Sequence, residues 1–276
     1  MKDLTIGQYF PGDSVIHRLD PRTKITLSFM YIMVLFFVKT FSAYAMALIY
    51  LYTVMKIADI PFSMLFKGIK SLIFIIVLTL ALNIFMIEGE TLFTIFGLTA
   101  SKEGLRYAIF MALRLILMVM GSAVMTLTTS PIRLTGGLEK IMKPLEVIKV
   151  PAHEISMMMT IALRFIPTLM EETQKIIKAQ KARGANFEEG SIVKRAKALV
   201  PILIPLFISS FRRADELANA MEARLYRGGN DRTKLNPLKY QKRDYLAYTI
   251  VILYFAGMIA LNYTCLLYTS PSPRDA

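Results

Sequence analysis

The chain has 276 residues, 55% of them hydrophobic, with a mean hydropathy of +0.49 and a formal net charge of +13. This combination excludes most soluble globular domains and predicts an all-α, polytopic membrane protein with a basic cytoplasmic face. We expect about five transmembrane helices, a cytoplasmic domain of long helices, and a location in the plasma membrane.

The first part of the chain reads as a short cytoplasmic segment followed by four membrane-spanning helices. Residues 1–24 are polar and end in several cations, which place the N-terminus in the cytoplasm by the positive-inside bias. Within residues 25–131, the predicted spans are Ile25–Val38, Phe41–Met55, Ser71–Ile87 and Leu105–Thr128. The segment Glu88–Gly104 carries more acidic than basic residues, which fits an outside loop. Its alternating stretch Leu92–Phe96 predicts a small hairpin or a half-buried flap.

The chain changes character over residues 132–243, which we predict to form a cytoplasmic or interfacial domain. It begins with a short amphipathic helix, Ile132–Val150. The next predicted helix, His153–Ala182, starts apolar and becomes charged after Met170, as expected of a helix that starts at the membrane and ends in water.

A second long helix of this kind is predicted over Ser191–Tyr226. Pro201 and Pro205 are expected to kink it. Its apolar stretch, Ala198–Phe211, is too short to span a bilayer. The sequence therefore predicts two helical arms at a membrane surface.

Residues 244–264 hold the last predicted span, Tyr245–Tyr263, which leads out of the cell. The single cysteine, Cys265, opens a string that resembles a translated transposase-type sequencing adapter. We therefore treat residues 265–276 as an artefact and exclude them from fold reasoning. The rest of the chain has no cysteine, so we expect no disulfide, thiol catalysis or cysteine-ligated metal.

Each arm ends with an arginine that follows an alanine. Arg183 lies between Ala182 and Gly184, and the second pair, Ala223 and Arg224, is followed by Leu225. A single cytoplasmic arginine is usually explained by the positive-inside bias alone. Because the pair recurs, and because arginine suits bidentate contacts with carboxylates or backbone carbonyls, we interpret both tips as docking points for a soluble partner.

These residues carry a resemblance to a known family. The strings that carry it are Leu19–Lys24, Thr129–Pro131, Ala182–Gly184, and Arg212–Ala218 leading to Ala223–Arg224. Together they resemble the transmembrane T component of energy-coupling factor transporters, and the likeness covers nearly the whole chain to Thr264. The family's second signature is usually Ala-Arg-Gly, so Leu225 departs from it.

The resemblance implies a non-catalytic scaffold of an ABC-type importer for vitamins or other micronutrients. Two ATPase subunits would bind the tips formed by Ala182–Gly184 and Ala223–Leu225. The apolar parts of the arms would hold a substrate-binding membrane protein (the S component), which topples when the ATPases close. ATP hydrolysis would belong to the partner chains, since no Walker-type phosphate loop is present. No cofactor, metal or nucleic-acid partner is implied.

Two other classes of function remain as alternatives. A stand-alone secondary transporter or channel would need polar residues in several spans, and only Asn83 and Arg114 qualify. We expect Arg114 to form a structural pair inside the bundle, with Asn83 as the candidate partner. An intramembrane enzyme would need a catalytic cluster. The pair His153-Glu154 starts like a zinc-protease motif, but Met157 stands where the second histidine belongs.

Overall fold

The computed structural model describes residues 9–70, 72–87, 89–95, 98–185, 187, 191–228 and 237–269. The chain divides into two compact units. Unit 1 comprises Met1–Leu138 and Leu238–Ala276, and unit 2 comprises Glu139–Pro237. The predicted residues 132–243 include all of unit 2.

The described residues are almost entirely helical, which confirms the predicted all-α membrane class. The helices of unit 1 are α1 (Pro21–Phe37), α2 (Phe41–Ala58), α3 (Phe62–Lys70), α4 (Ile73–Met86), α5 (Lys102–Thr128), the first part of α6 (Pro131–Met142), and α9 (Lys242–Thr269). In unit 2, the end of α6 is followed by a 3₁₀ helix (Lys143–Ile148), α7 (Ala152–Ala182) and α8 (Ile192–Ala223). The predicted hairpin between α4 and α5 is confirmed: β1 (Thr91–Ile95) and β2 (Leu98–Ser101) pair antiparallel.

Among the described residues, fewer helices are able to cross a membrane by length and composition than the roughly five predicted. By length and composition, three of the described helices qualify: α2, α5, and α9 over Lys242–Thr264. A fourth span arises if α3 and α4 are counted together, and these two helices meet at a bend of 61°. The predicted third span, Ser71–Ile87, corresponds to α4, the second helix of this bent pair, and its first residue, Ser71, lies outside the described residues. With 17 residues, α1 reaches about 25 Å, short of a ~30 Å hydrocarbon core.

The last helix extends beyond the predicted span. It runs through Cys265 to Thr269, so the first five residues of the excluded tail are helical, and residues 270–276 lie outside the described part.

The core of unit 1 is built where α1, α2, α5 and α9 meet. Its largest fully buried side chains include Tyr31, Tyr44, Leu117 and Phe255, one from each helix. A side chain at Gly121 of α5 would collide with the ring of Tyr31. A glycine at this position therefore lets α5 approach α1 closely enough to exclude lipid from the interface.

The structure corrects the predicted partner of Arg114. Its guanidinium donates to the carbonyl of Val38 at 3.1 Å and to the hydroxyl of Tyr44 at 3.3 Å. Asn83 instead donates to Thr79 in its own helix at 2.7 Å. Val38 is the C-cap of α1, and the last carbonyls of a helix lack intrahelical donors, so a cation is favoured there. Arg114 thus caps a neighbouring helix rather than pairing with Asn83.

The string Leu19–Lys24 brings three helix ends of unit 1 together. Asp20 is the N-cap of α1 and receives a hydrogen bond from the backbone of Arg22 at 2.9 Å. The backbone N–H of Asp20 donates to Asp244 at the start of α9 at 2.8 Å, while Lys24 donates to the carbonyl of Thr128 at the end of α5 at 2.8 Å. The chain passes between the two units at Leu138–Glu139, within α6, and at Pro237–Leu238, a few residues before α9.

Candidate partner-docking site at the ends of two helical arms

The candidate arginines stand at the C-terminal ends of the two longest helices. α7 has 31 residues and α8 has 32, so each is about 45 Å long. Ser191 is the N-cap of α8, and its side chain accepts a hydrogen bond from the backbone of Lys194. It continues as one helix through Pro201 and Pro205. α7 ends at Ala182 and α8 at Ala223, which makes Arg183 and Arg224 the two C-cap residues.

Both arms end in the same hydrogen-bonding pattern, a Schellman motif. At the end of α7, Gly184 donates to the carbonyl of Lys181 at 3.0 Å, and Ala185 donates to the carbonyl of Gln180 at 3.0 Å. Gly184 has a φ of 87°, in the left-handed region that the motif requires.

At the end of α8, Leu225 donates to the carbonyl of Glu222 at 2.8 Å, and Tyr226 donates to the carbonyl of Met221 at 3.0 Å. Leu225 takes the left-handed position with a φ of 56°. The departure from Ala-Arg-Gly therefore leaves the geometry of the tip intact, with a leucine in a conformation that usually selects glycine.

The six predicted site residues, Ala182–Gly184 and Ala223–Leu225, are all exposed. Within the described part of the chain, neither Arg183 nor Arg224 makes a side-chain hydrogen bond or ion pair. Each guanidinium therefore presents its planar set of five N–H donors to solvent. The helix dipole by itself favours a cation at this position, so it is the exposure and the repetition of the two tips that point to docking.

An ion pair that the sequence analysis missed joins the two arms. Nη2 of Arg213 in α8 lies 2.6 Å from Oε2 of Glu172 in α7, and the two side chains are 29% and 25% exposed. Glu172 precedes Arg183 by eleven residues, and Arg213 precedes Arg224 by the same number. The pair is therefore about 16 Å along the helix from each tip. The equal spacing of Glu172 and Arg213 from the two arginines is the feature of the sequence from which their pairing could have been predicted.

A row of exposed apolar side chains covers one stretch of α8. We call it the α8 apolar face, and it consists of Leu199, Val200, Leu203, Ile204, Phe207, Ile208 and Phe211. The members recur at intervals of four residues and share a side of the helix. Exposed apolar surfaces of this kind are typical of contacts with a protein or a membrane.

His153, the histidine of the incomplete zinc-protease motif, lies in a polar cluster with Glu139 and Ser156 at the start of α7. His153 Nδ1 lies 3.3 Å from Oε1 of Glu139, and the hydroxyl of Ser156 donates to the other oxygen of the same carboxylate at 3.0 Å. The described residues contain no group of three or more His, Cys, Asp or Glu side chains able to hold a metal. The cluster fastens the start of α7 to the end of α6.

Comparisons with known proteins cover nearly the whole chain. A family model described as cobalt transport protein (CbiQ) matches residues 12–235. A relative from Clostridium kluyveri is 54% identical over 249 residues, which are 90% of this chain and 92% of the relative. One from Thermosediminibacter oceani is 51% identical over 94% of this chain and 98% of its own length, and one from Bacillus subtilis is 45% identical over 88% and 92%. All three carry the name energy-coupling factor transporter transmembrane protein EcfT.

Proposed function

This chain belongs to the family of energy-coupling factor transporter transmembrane proteins, and we propose that it couples two ATPase subunits to a substrate-binding membrane protein. In this proposal the chain is a non-catalytic subunit of the importer. The two ATPases hydrolyse ATP, and the membrane partner selects the vitamin or other micronutrient. Closure of the ATPases moves the arms and topples the membrane partner, which releases its cargo inside the cell.

The observation that carries the proposal is the hydrogen-bonding pattern that the two tips share, each with an exposed arginine as its C-cap. Two ATPase subunits that form a pair present two equivalent grooves. A chain that binds both subunits therefore needs two equivalent docking tips. Arg183 and Arg224 occupy the same C-cap position of the same helix-end motif, and both are exposed. A bidentate guanidinium that is exposed in one chain suits a carboxylate or carbonyl groove in another.

The α8 apolar face supports the second half of the proposal. Its seven exposed side chains lie between Leu199 and Phe211, before the charged end of the same helix. A membrane protein that binds this apolar face and a soluble ATPase that binds Arg224 would be connected by one rigid helix. The ion pair between Glu172 and Arg213 lies between these two regions on α8 and ties the movement of α8 to that of α7.

The proposal also assigns an orientation. The N-terminus and the arms face the cytoplasm, because the cations concentrate there, and the β1–β2 hairpin faces outside. The polar groups within the spans do not favour a stand-alone transporter, since Arg114 donates hydrogen bonds to Val38 and Tyr44, and Asn83 donates one to the carbonyl of Thr79 within α4.

The test is simultaneous replacement of Arg183 and Arg224 by alanine in the complete transporter. Removing one partner of a buried interfacial charge pair costs roughly 2–5 kcal/mol, so we expect the double variant to lose both ATPases while staying in the membrane. Each single variant should retain weaker binding through the other arm. Co-purification of the ATPases and substrate uptake are the measurements.

The matched control is the double variant Lys178→Ala with Arg212→Ala, which removes two exposed cations from the same arms. It should bind the ATPases normally if the tips, rather than the overall charge, make the contact. Normal co-purification and uptake by the Arg183→Ala, Arg224→Ala variant would refute the docking role.

A further inference from the structure

Unit 1 contains an apolar crevice that the proposed coupling function does not use. It has a volume of about 350 Å³ and lies between α1, α2, α5 and α9. Its walls include Leu27 of α1, Val54 of α2, Val124 of α5, and Ile250 and Tyr254 of α9. Three of these helices, α2, α5 and α9, qualify as membrane spans by length and composition, so lipid is the natural source of a ligand for the crevice.

One end of the crevice is cationic. Lys24 and Arg243 both line it, and they lie where the start of α1, the end of α5 and the start of α9 meet. Lys24 is only 7% exposed, and its ammonium group donates to the carbonyls of His17 and Thr128 at 3.2 and 2.8 Å. Arg243 donates to the side-chain oxygen of Gln241. Among the described residues, neither cation forms an ion pair with a carboxylate.

The carboxylate of Asp244 attracts Lys24 from beyond ion-pair distance, but the guanidinium of Arg133 repels it more strongly. A buried cation in this position is costly, because carbonyl dipoles replace only part of its lost hydration. The ammonium group of Lys24 has three donors, and the two carbonyls use two of them. An anion at this end of the crevice would offset that cost. A ligand suited to the whole crevice therefore has a negative group at one end and a long apolar part at the other.

The size of the crevice decides whether its ligand is a transmembrane helix or a single acyl chain. A volume near 350 Å³ falls at the lower end of the range for small-molecule sites, about 300–1,000 Å³. A transmembrane helix about 10 Å wide is much too large to enter. An acyl chain fits between the helices and needs no hydrogen-bonding groups there.

We propose that this crevice binds one anionic phospholipid, with an acyl chain against Leu27, Val54 and Ile250 and the phosphate-bearing head group beside Lys24 and Arg243. The bound lipid fills the gap between α1, α2, α5 and α9. It also supplies a counter-charge where the start of α1, the end of α5 and the start of α9 meet.

The experiment is native mass spectrometry of the purified full-length chain with equal amounts of phosphatidylglycerol and phosphatidylcholine that carry the same acyl chains. We expect retention of one phosphatidylglycerol in preference to phosphatidylcholine. A cation near the membrane surface contributes about 1 kcal/mol toward anionic lipid, which is about fivefold in affinity. Lys24→Met and Arg243→Gln should each reduce the preference by about this factor.

A second pair of variants tests the apolar part without touching the cations. Ala247 lines the crevice, and Ala247→Phe should block it and abolish retention of the lipid. Leu253 lies on α9 outside the crevice and is exposed, so Leu253→Phe should leave retention unchanged. Equal retention of the two lipids by the unaltered chain, or undiminished retention by the Ala247→Phe variant, would overturn the proposal.

Discussion

Leu225 adopts a backbone conformation that costs free energy, although the end of α8 is otherwise regular. Its φ of 56° is one of three positive values among the described non-glycine residues. The left-handed conformation costs an L-residue roughly 1–2 kcal/mol. The side chain is 76% exposed, so little packing within this chain offsets that cost. The equivalent residue of the first arm, Gly184, meets no strain in the same conformation.

We therefore expect Leu225→Gly to stabilise the end of α8 by about 1 kcal/mol, and Gly184→Leu to destabilise the end of α7 by a similar amount. A side chain at Gly184 would meet no atom within 4 Å, so the predicted loss comes from the backbone alone. Hydrogen exchange of the backbone amides that close the two tips measures both effects. Slower exchange in Gly184→Leu, or faster exchange in Leu225→Gly, would contradict this account of the tips.

At the scale of the helices, α7 and α8 act together only if they are joined. The pair Glu172–Arg213 is partly shielded from water, and a hydrogen bond between charged groups contributes about 1.5–3 kcal/mol. Because it lies at the same distance from Arg183 and Arg224, a displacement of one tip is transmitted to the other arm at an equivalent point. The pair is therefore a positioning contact in the proposed coupling.

We expect Glu172→Arg and Arg213→Glu, each alone, to lower the amount of substrate imported per ATP hydrolysed while the ATPases stay bound. Each places two like charges at the contact. The double exchange restores opposite charges and should recover most of the coupling ratio. The neighbouring exposed residues provide the control, since Glu171→Arg and Arg212→Glu, each alone, change the net charge by the same amounts outside the contact. Failure of the double exchange to restore the ratio, with both ATPases bound, would exclude this role.

At the scale of the whole molecule, the β1–β2 hairpin and the arms are assigned to opposite sides of the membrane. The described residues offer an exposed position on each, Glu90 before β1 and Arg227 after α8. Single cysteines can be placed there after Cys265 is replaced by serine. With a membrane-impermeant maleimide on intact cells, we expect labelling of Glu90→Cys alone, and labelling of Arg227→Cys only after the membrane is opened. Equal labelling of the two positions on intact cells would reverse or abolish the proposed orientation.

The sequence by itself determined the features that depend on local interactions. Apolar stretches predicted most of the helices of unit 1, and alternation over Leu92–Phe96 predicted the hairpin, because periodicity follows from the geometry of each element. The ends of α7 and α8 lie within a few residues of the predicted ends, where Ala182 and Ala223 are followed by an arginine. These signals need no knowledge of which elements are neighbours.

Only the tertiary structure decided the contacts between distant parts of the chain. The partner of Arg114 depends on where α1 ends in space, so the sequence suggested Asn83 while the structure places Val38 there. The bend between α3 and α4, the meeting of Glu172 with Arg213, and the cationic crevice likewise arise from helix packing. A periodic pattern states which face of a helix is apolar, but not which face of which other helix will cover it.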